Sequence, residues 1–274
     1  MGRIGETFAR LRSSGERALV PFITGGDPDL DTTEALVLAM AESGADLIEI
    51  GVPFSDPTAE GPTIQRANER ALAGGATLRR ILERVKALRP RVDVPLLLMG
   101  YANPFYAMGV GGFVEAAEEV GVDGIIVADL PPEEGEALFQ AAEQGGIDPV
   151  LLAAPTTVES RLQLLAERTR GFLYYVSLTG VTGARAELAG DLEAAVGRIR
   201  GHSDVPVCVG FGISTPEHAR MVGSFADGVV VGSAVVDRIE AAASREAAVD
   251  AVAQFISALK APLRAATTPD KSGV

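Results

Sequence analysis

The amino-acid sequence predicts one α/β domain, a (β/α)8 TIM barrel with an additional N-terminal helix, over residues 1–261 of the 274. Three observations carry this expectation. Short apolar runs alternate with helical patterns about every 25 to 35 residues, the rhythm of repeated β–α units. Those runs are rich in Val and Ile and continuous rather than alternating, as strands buried on both faces of a parallel sheet must be. No Gly-rich dinucleotide fingerprint follows the first run and no composition break marks a second domain, so a closed barrel accounts for the length better than an open doubly wound sheet.

The elements follow in order. A charged amphipathic helix over 4–14 precedes the first strand, 18–24, which ends in the turn residues Gly25, Gly26, Asp27 and Pro28. After a helix over 30–43, the second strand runs through Leu47, Ile48 and Ile50, and a loop broken by Gly51, Pro53, Pro57, Gly61 and Pro62 leads to helices over 63–73 and 78–88. The third strand, 94–101, is ended by Asn103 and Pro104, and a helix over 114–120 leads to the fourth, 124–130, closed by Pro131 and Pro132. A helix over 133–144, a fifth strand over 149–154, a helix over 159–168 and a sixth strand over 172–178 come next. The segment TGVTGARAELAG is rich in small residues and poorly periodic; a helix over 192–200 and a seventh strand over 205–211 follow it. A short helix over 216–222, an eighth strand over 228–231 and a last helix over 237–259 complete the pattern, and the polar tail 262–274 is expected to be disordered.

Composition narrows the function. A net charge of −13 argues against nucleic acid or an anionic membrane as the partner of the surface, and no window reaches the length of a membrane span. The opening MGRIGETFARLRSSGER is charged throughout, unlike a signal peptide, and Cys208 is the single cysteine, set in an apolar run as a small buried side chain. The expectation is a cytoplasmic protein with no disulfide.

In this fold the chemistry lies at the C-terminal ends of the strands. The second strand carries Glu49 within its apolar run, where an unpaired charge is expensive and its pKa rises. Taken alone, Glu49 could pair with a hidden Arg or backbone group, or serve in catalysis. Its loop adds Asp56 and Glu60, the fourth strand offers Asp129 and the sixth Tyr174; Asp129, before two prolines, could equally accept backbone N–H groups. Gly180-Val181-Thr182-Gly183, Gly210-Phe211-Gly212 and Gly232-Ser233 follow strands six, seven and eight, where glycines and a helix start suit a phosphate without Lys or Arg. The lysines, Lys86, Lys260 and Lys271, lie on helices or in the tail, which leaves none for a Schiff base, and His202 and His218 read as surface residues. No His- or Cys-rich metal set is present in the sequence. Acid–base work by carboxylates on a phosphorylated small molecule, without metal, is the chemistry implied.

At this point PFITGGDP, LIEIGVPFSDPTAEGPTIQ, GVDGIIVADLPPEE, LLAAPTT, YYVSLTGVTGA, VGFGIS and VVVGSAVV closely resemble, in order and spacing, the motifs of the tryptophan synthase α-subunit family. The resemblance implies retro-aldol cleavage of indole-3-glycerol phosphate to indole and glyceraldehyde 3-phosphate. It also implies a pyridoxal-phosphate β subunit that receives the indole in an α2β2 heterotetramer, the cofactor belonging to that partner and none to this chain. By position Glu49 matches the family's acid–base glutamate. The second carboxylate, which accepts the indole N–H, falls at Glu60, where the family's usual residue is Asp. Gly183, Gly212, Gly232 and Ser233 match phosphate contacts, with Phe211 nearby. Phe22, Ile64, Tyr101 and Tyr174 match the indole pocket, with Asp129 beside it, and Thr182 matches the residue that helps position Glu49 when its loop closes. The longer Glu60 leaves a second class of function open: a catalytically impaired subunit that binds a phosphate ligand and activates its β partner allosterically.

Overall fold

The computed structural model describes residues 2–176, 185–210 and 212–265. Among these residues, nine strands, all parallel, form one sheet in the order β5-β4-β3-β2-β1-β9-β8-β7-β6. They are β1 Ala18–Thr24, β2 Ile48–Gly51, β3 Leu96–Gly100, β4 Gly124–Val127, β5 Asp148–Pro149, β6 Leu151–Ala153, β7 Leu173–Val176, β8 Val207–Gly210 and β9 Gly228–Val231. β5 and β6 are two pieces of one barrel strand. Pro149 has no N–H to continue the ladder, and the Val150 N–H between the pieces reaches Ile125 O at 2.9 Å. The ring is therefore closed, and the predicted eight-stranded barrel is present.

The helices are α1 Arg3–Ser14, α2 Leu30–Glu42, α3 Pro62–Ala73, α4 Leu78–Leu88, α5 Ala102–Ala107, α6 Val110–Val120, α7 Glu136–Gln144, α8 Glu159–Arg168, α9 Arg185–Arg200, α10 Pro216–Gly223, α11 Ser233–Ala241 and α12 Arg245–Lys260. Several elements depart from the sequence expectation. The short α5 is additional, because Pro104 falls in a first turn that needs no N–H. The predicted helix over 192–200 begins at Arg185. The predicted last helix is two, divided where Ser244 caps α12 by accepting the Ala247 N–H at 3.2 Å. At the C-terminal end the barrel outlasts residue 261: Leu263 is 2% exposed and its carbonyl accepts the Arg17 N–H at 2.9 Å, so the chain stays packed there.

Period-two alternation divides each strand between two cores. Leu19, Ile23, Ile48, Ile50, Leu98 and Ile125 point outward into the large layer under the helices. Ala18, Val20, Leu47, Leu97, Ile126 and Cys208 point inward and fill the barrel. Both faces are dry, which is why the strands read as continuous apolar runs. Helix α1 closes the N-terminal mouth: Ile4, Phe8 and Leu11, spaced four and three apart on one face, are buried in the inner cluster. Burial of each stabilises the fold by about 1.5–3 kcal/mol. Phe8 packs on Phe172 with ring centroids 5.8 Å apart, and Phe172 on Tyr174 at 6.4 Å, an aromatic column rising toward the opposite mouth.

The N-terminal mouth also carries a fourfold polar pattern. Just before alternate barrel strands, a side-chain oxygen accepts an N–H from the start of the preceding strand. Asp46 accepts from Leu19 at 2.9 Å, Asp123 from Leu96 at 2.8 Å, Thr169 from Leu151 at 3.0 Å and Asp227 from Val207 at 3.0 Å. Cations balance the three aspartates: Lys260 lies 2.8 Å from Asp46, Arg3 and Arg89 each 2.9 Å from Asp123, and Arg200 3.1 Å from Asp227. These bonds satisfy strand-start donors that parallel pairing leaves open. This end holds the fold together and leaves the other end free for chemistry.

Candidate active site

Strand β2 is in register with β1 and β3, pairing Glu49 with Phe22 on one side and Leu97 on the other, so all three side chains face the barrel interior. Glu49 is wholly buried. Among the described residues three buried side-chain polar atoms lack a hydrogen-bond partner: Thr24 Oγ1 and both carboxyl oxygens of Glu49. The hidden arginine that sequence alone left open is thus not among the described residues. Burial first, and the charge of Glu60 second, push the Glu49 carboxyl up to about 8. A proton held near neutrality with no competing partner is what a group needs if it is both to give and to take one.

Glu60 reaches the same cavity from the loop between β2 and α3, and burial pushes its carboxyl up to about 7. The loop sets its backbone: the Glu60 N–H donates to Pro57 O at 3.1 Å and Gln65 Nε2 donates to Glu60 O at 2.8 Å. Gly61 and Pro62 then start α3, with Pro at the position where a helix needs no N–H.

The cavity encloses about 190 Å³. One wall is apolar, made by Phe22, Ile64 and Met99, and Tyr174 crosses it at the edge of Gly210. That glycine is required by contact, since a Cβ there would lie 2.9 Å from the Tyr174 hydroxyl. Burial, reinforced by the charges of Glu49 and Glu60, raises Tyr174 well above the usual phenol range and keeps it neutral. The opposite end is built by Gly212, Gly232 and Ser233. Gly212 adopts φ +74°, a conformation that favours glycine. Gly232 caps α11 and Ser233 opens it, so the first N–H groups of a nine-residue helix, which have no partner within the helix, face the cavity. The described lining holds no Lys or Arg, and an anion here is met by backbone N–H groups and the helix dipole.

Charged contacts tie the two ends together. Asp27, 1% exposed, takes Arg70 of α3 in a bidentate pair at 2.7 and 2.8 Å. Arg70 and Arg66 both reach Glu240 of α11, at 2.7 Å and at 2.6–2.8 Å. The helix carrying Ile64 is thereby clamped to the helix carrying Ser233.

Of the residues singled out from sequence, Glu49, Glu60, Phe22, Ile64, Tyr174, Gly212, Gly232 and Ser233 line this one cavity. Tyr101 and Asp129 do not line the cavity. Tyr101, 3% exposed, stands behind the β2–α3 loop, its hydroxyl accepting the Ala59 N–H at 2.9 Å and its ring stacked on Phe54 at 5.2 Å. Asp129 accepts the Ala102 N–H at 2.8 Å, at the start of α5. Gly183, Thr182 and Phe211 lie outside the described residues. Met99 was not among the expected pocket residues; its signal is its place two residues beyond the inward-facing Leu97. The expectation of a surface His218 is corrected: on α10 it is 8% exposed, its Nδ1 beside Ser214, because the inner side of that short helix packs on the barrel. No group of three or more His, Cys, Asp or Glu is placed to hold a metal ion among the described residues, and no helix there is long and apolar enough to cross a membrane.

A family model described as tryptophan synthase alpha chain matches residues 8–264. The tryptophan synthase alpha chain of Geotalea uraniireducens is 51% identical over 97% of this chain and 99% of its own length. That of Geobacter sulfurreducens is also 51% identical, over 95% and 98%. Among solved structures, a tryptophan synthase alpha chain from Legionella pneumophila superposes with a TM-score of 0.87 at 38% identity, covering 96% of this chain and 97% of that one. A tryptophan synthase structure from Mycobacterium tuberculosis gives 0.87 at 34% identity, covering 97% and 99%.

Proposed function

The chain belongs to the tryptophan synthase alpha chain family, and from that membership and the cavity we propose how its residues carry the family's reaction. The reaction is the retro-aldol cleavage of indole-3-glycerol phosphate to indole and glyceraldehyde 3-phosphate, with indole passing to a β subunit. The observation that carries the assignment of roles is the wholly buried, unpartnered Glu49 facing Glu60 in a cavity whose far end is a helix N-terminus.

The helix start and the glycine turns bind the phosphate, which orients the glycerol chain along the cavity and the indole ring against Phe22, Ile64 and Met99. Glu49, holding a proton, delivers it to ring carbon 3 and gives the indolenine cation. Glu60, as carboxylate, accepts the ring N–H and stabilises that cation. Glu49, now ionised, takes the proton of the adjacent glycerol hydroxyl. The carbon–carbon bond breaks, its electron pair restores the aromatic ring and the aldehyde leaves. One proton is given and one returned, so a single carboxyl suffices. Tyr174, kept neutral, lines the same cavity without titrating. Glu60 does the work of the shorter aspartate because the β2–α3 loop sets its backbone. Pyridoxal phosphate belongs to the β partner of an α2β2 assembly, and the assembly works in the cytoplasm.

The test is indole release with β subunit present and absent. The native chain turns over, Glu49→Gln loses at least about a thousandfold in kcat, and Glu60→Asp changes it by less than about tenfold. An inactive native chain that Glu60→Asp revives would reverse the assignment and leave a ligand-binding subunit that only activates its partner.

A further inference from the structure

Tyr101 was expected in the pocket and is found outside it, in a place that gives it another task. Residues 52–61 form a long loop between β2 and α3, and Glu60 sits near its far end. At its start the loop is tied to β3 by the Val52 N–H, which donates to Met99 O at 2.7 Å. Around Glu60 the other bonds among the described residues are local, to Pro57 and Gln65. The bond that ties this far end back to the barrel wall is the Ala59 N–H to Tyr101 Oη at 2.9 Å, one residue before Glu60. The same phenol ring stacks on Phe54 at 5.2 Å and an interplanar angle of 29°, gripping the loop a second time. Tyr101 is itself held: it follows β3 directly as the N-cap residue of α5, and Asp129 accepts the N–H of the next residue, Ala102, at 2.8 Å.

Glutamate has three side-chain torsions, and its carboxylate is only as well placed as the peptide that carries it. A charge-stabilising group that drifts by about 1 Å loses much of its effect on rate, on the order of a hundredfold in the extreme. We propose that Tyr101 is a positioning residue, its hydroxyl fixing the Ala59–Glu60 peptide so that the Glu60 carboxylate meets the substrate's ring nitrogen. The inference rests on the lyase reading and deepens it. Tyr101 touches no reacting atom; its effect passes entirely through Glu60.

A double-mutant cycle tests this, with Tyr101→Phe, Glu60→Gln and the pair assayed for indole release in complex with the β subunit. Phe keeps the ring on Phe54 and removes only the acceptor. Tyr101→Phe lowers kcat about tenfold with KM for the phosphate ester little changed, and in the Glu60→Gln background it adds less than about twofold. A full tenfold loss that persists in the Glu60→Gln background, or a rise in KM with kcat intact, overturns the proposal. A native chain that releases no indole overturns the lyase reading instead. Binding gives an independent readout on the same proteins. Tyr101→Phe weakens indole-3-propyl phosphate, which offers a ring N–H, and leaves glycerol 3-phosphate, which has none, unchanged. Equal weakening of both ligands, or of neither, rejects the role.

Discussion

Glu49 holds its proton at neutral pH because burial, and then the charge of Glu60, place its carboxyl at about 8. The same displacement makes it a source of pH-dependent instability. In the unfolded chain the group titrates near 4.5, so between that value and about 8 the unfolded state has lost a proton that the folded state keeps. The sign follows: the contribution to stability is full below 4.5 and is lost as pH rises through about 8. The loss runs at about 1.4 kcal/mol per pH unit and has an upper bound on the order of 5 kcal/mol. Glu49→Gln removes this dependence, while the parallel rise of Glu60 is common to both proteins. The stability of Glu49→Gln relative to the native chain therefore grows by about 3 kcal/mol between about pH 5 and about pH 8. Urea unfolding at the two pH values measures it. A difference that stays constant means that Glu49 is ionised as in water, and its role as proton donor fails with it.

The elements at the N-terminal mouth answer to a different demand. Asp123 satisfies the first donor of β3 and pairs with Arg3 and Arg89, while the cavity lies at the other end of the same strands. Replacing it by Ala leaves the Leu96 N–H without its acceptor and the part-buried Arg89 without its carboxylate partner, a loss of about 3 kcal/mol. Thermal unfolding of Asp123→Ala shows that loss, and kcat of the folded protein stays within about twofold of the native value; a collapse of kcat at temperatures where the variant is folded would break this separation of ends. The same division explains what sequence can and cannot express. Both-face burial writes the strands as apolar runs, so the barrel is legible, and Glu49 is legible as the carboxylate inside such a run. Gly210 and Gly212 are legible because a close side-chain approach at the one and a positive φ at the other favour glycine at strand ends. The bond of Tyr101 to Ala59 is not legible, because the partner lies forty-two positions away and no local pattern records it. The division of the last helix hinges on one capping serine, and α5 on a proline that breaks a helix interior but fits its first turn. The three mouth aspartates stand before strands as simple polar residues, and their pairing with the preceding strand exists only once the barrel closes.

At the scale of the whole molecule the chain carries −13 and its substrate is a dianionic ester, so long-range electrostatics oppose their meeting. The cavity answers with short-range means. The end proposed for the phosphate offers the N-terminus of α11 and the turns at Gly212 and Gly232, with no Lys or Arg in the described lining. Hydrogen bonds from backbone N–H groups at contact distance are little affected by salt. The repulsion from the outer surface acts over the Debye length, about 30 Å at 0.01 M ionic strength and about 8 Å at 0.15 M. Salt therefore removes the repulsion and leaves the binding contacts. The expected outcome is a KM for indole-3-glycerol phosphate that falls, by roughly twofold, as ionic strength rises from about 0.01 to about 0.15 M, with kcat unchanged. A site anchored by a basic side chain behaves oppositely, since salt weakens its attraction. A KM that rises over this range would mean that a cation from the β subunit, or from the residues after β7, reaches the phosphate, and the backbone-only account of this end of the cavity would have to be given up.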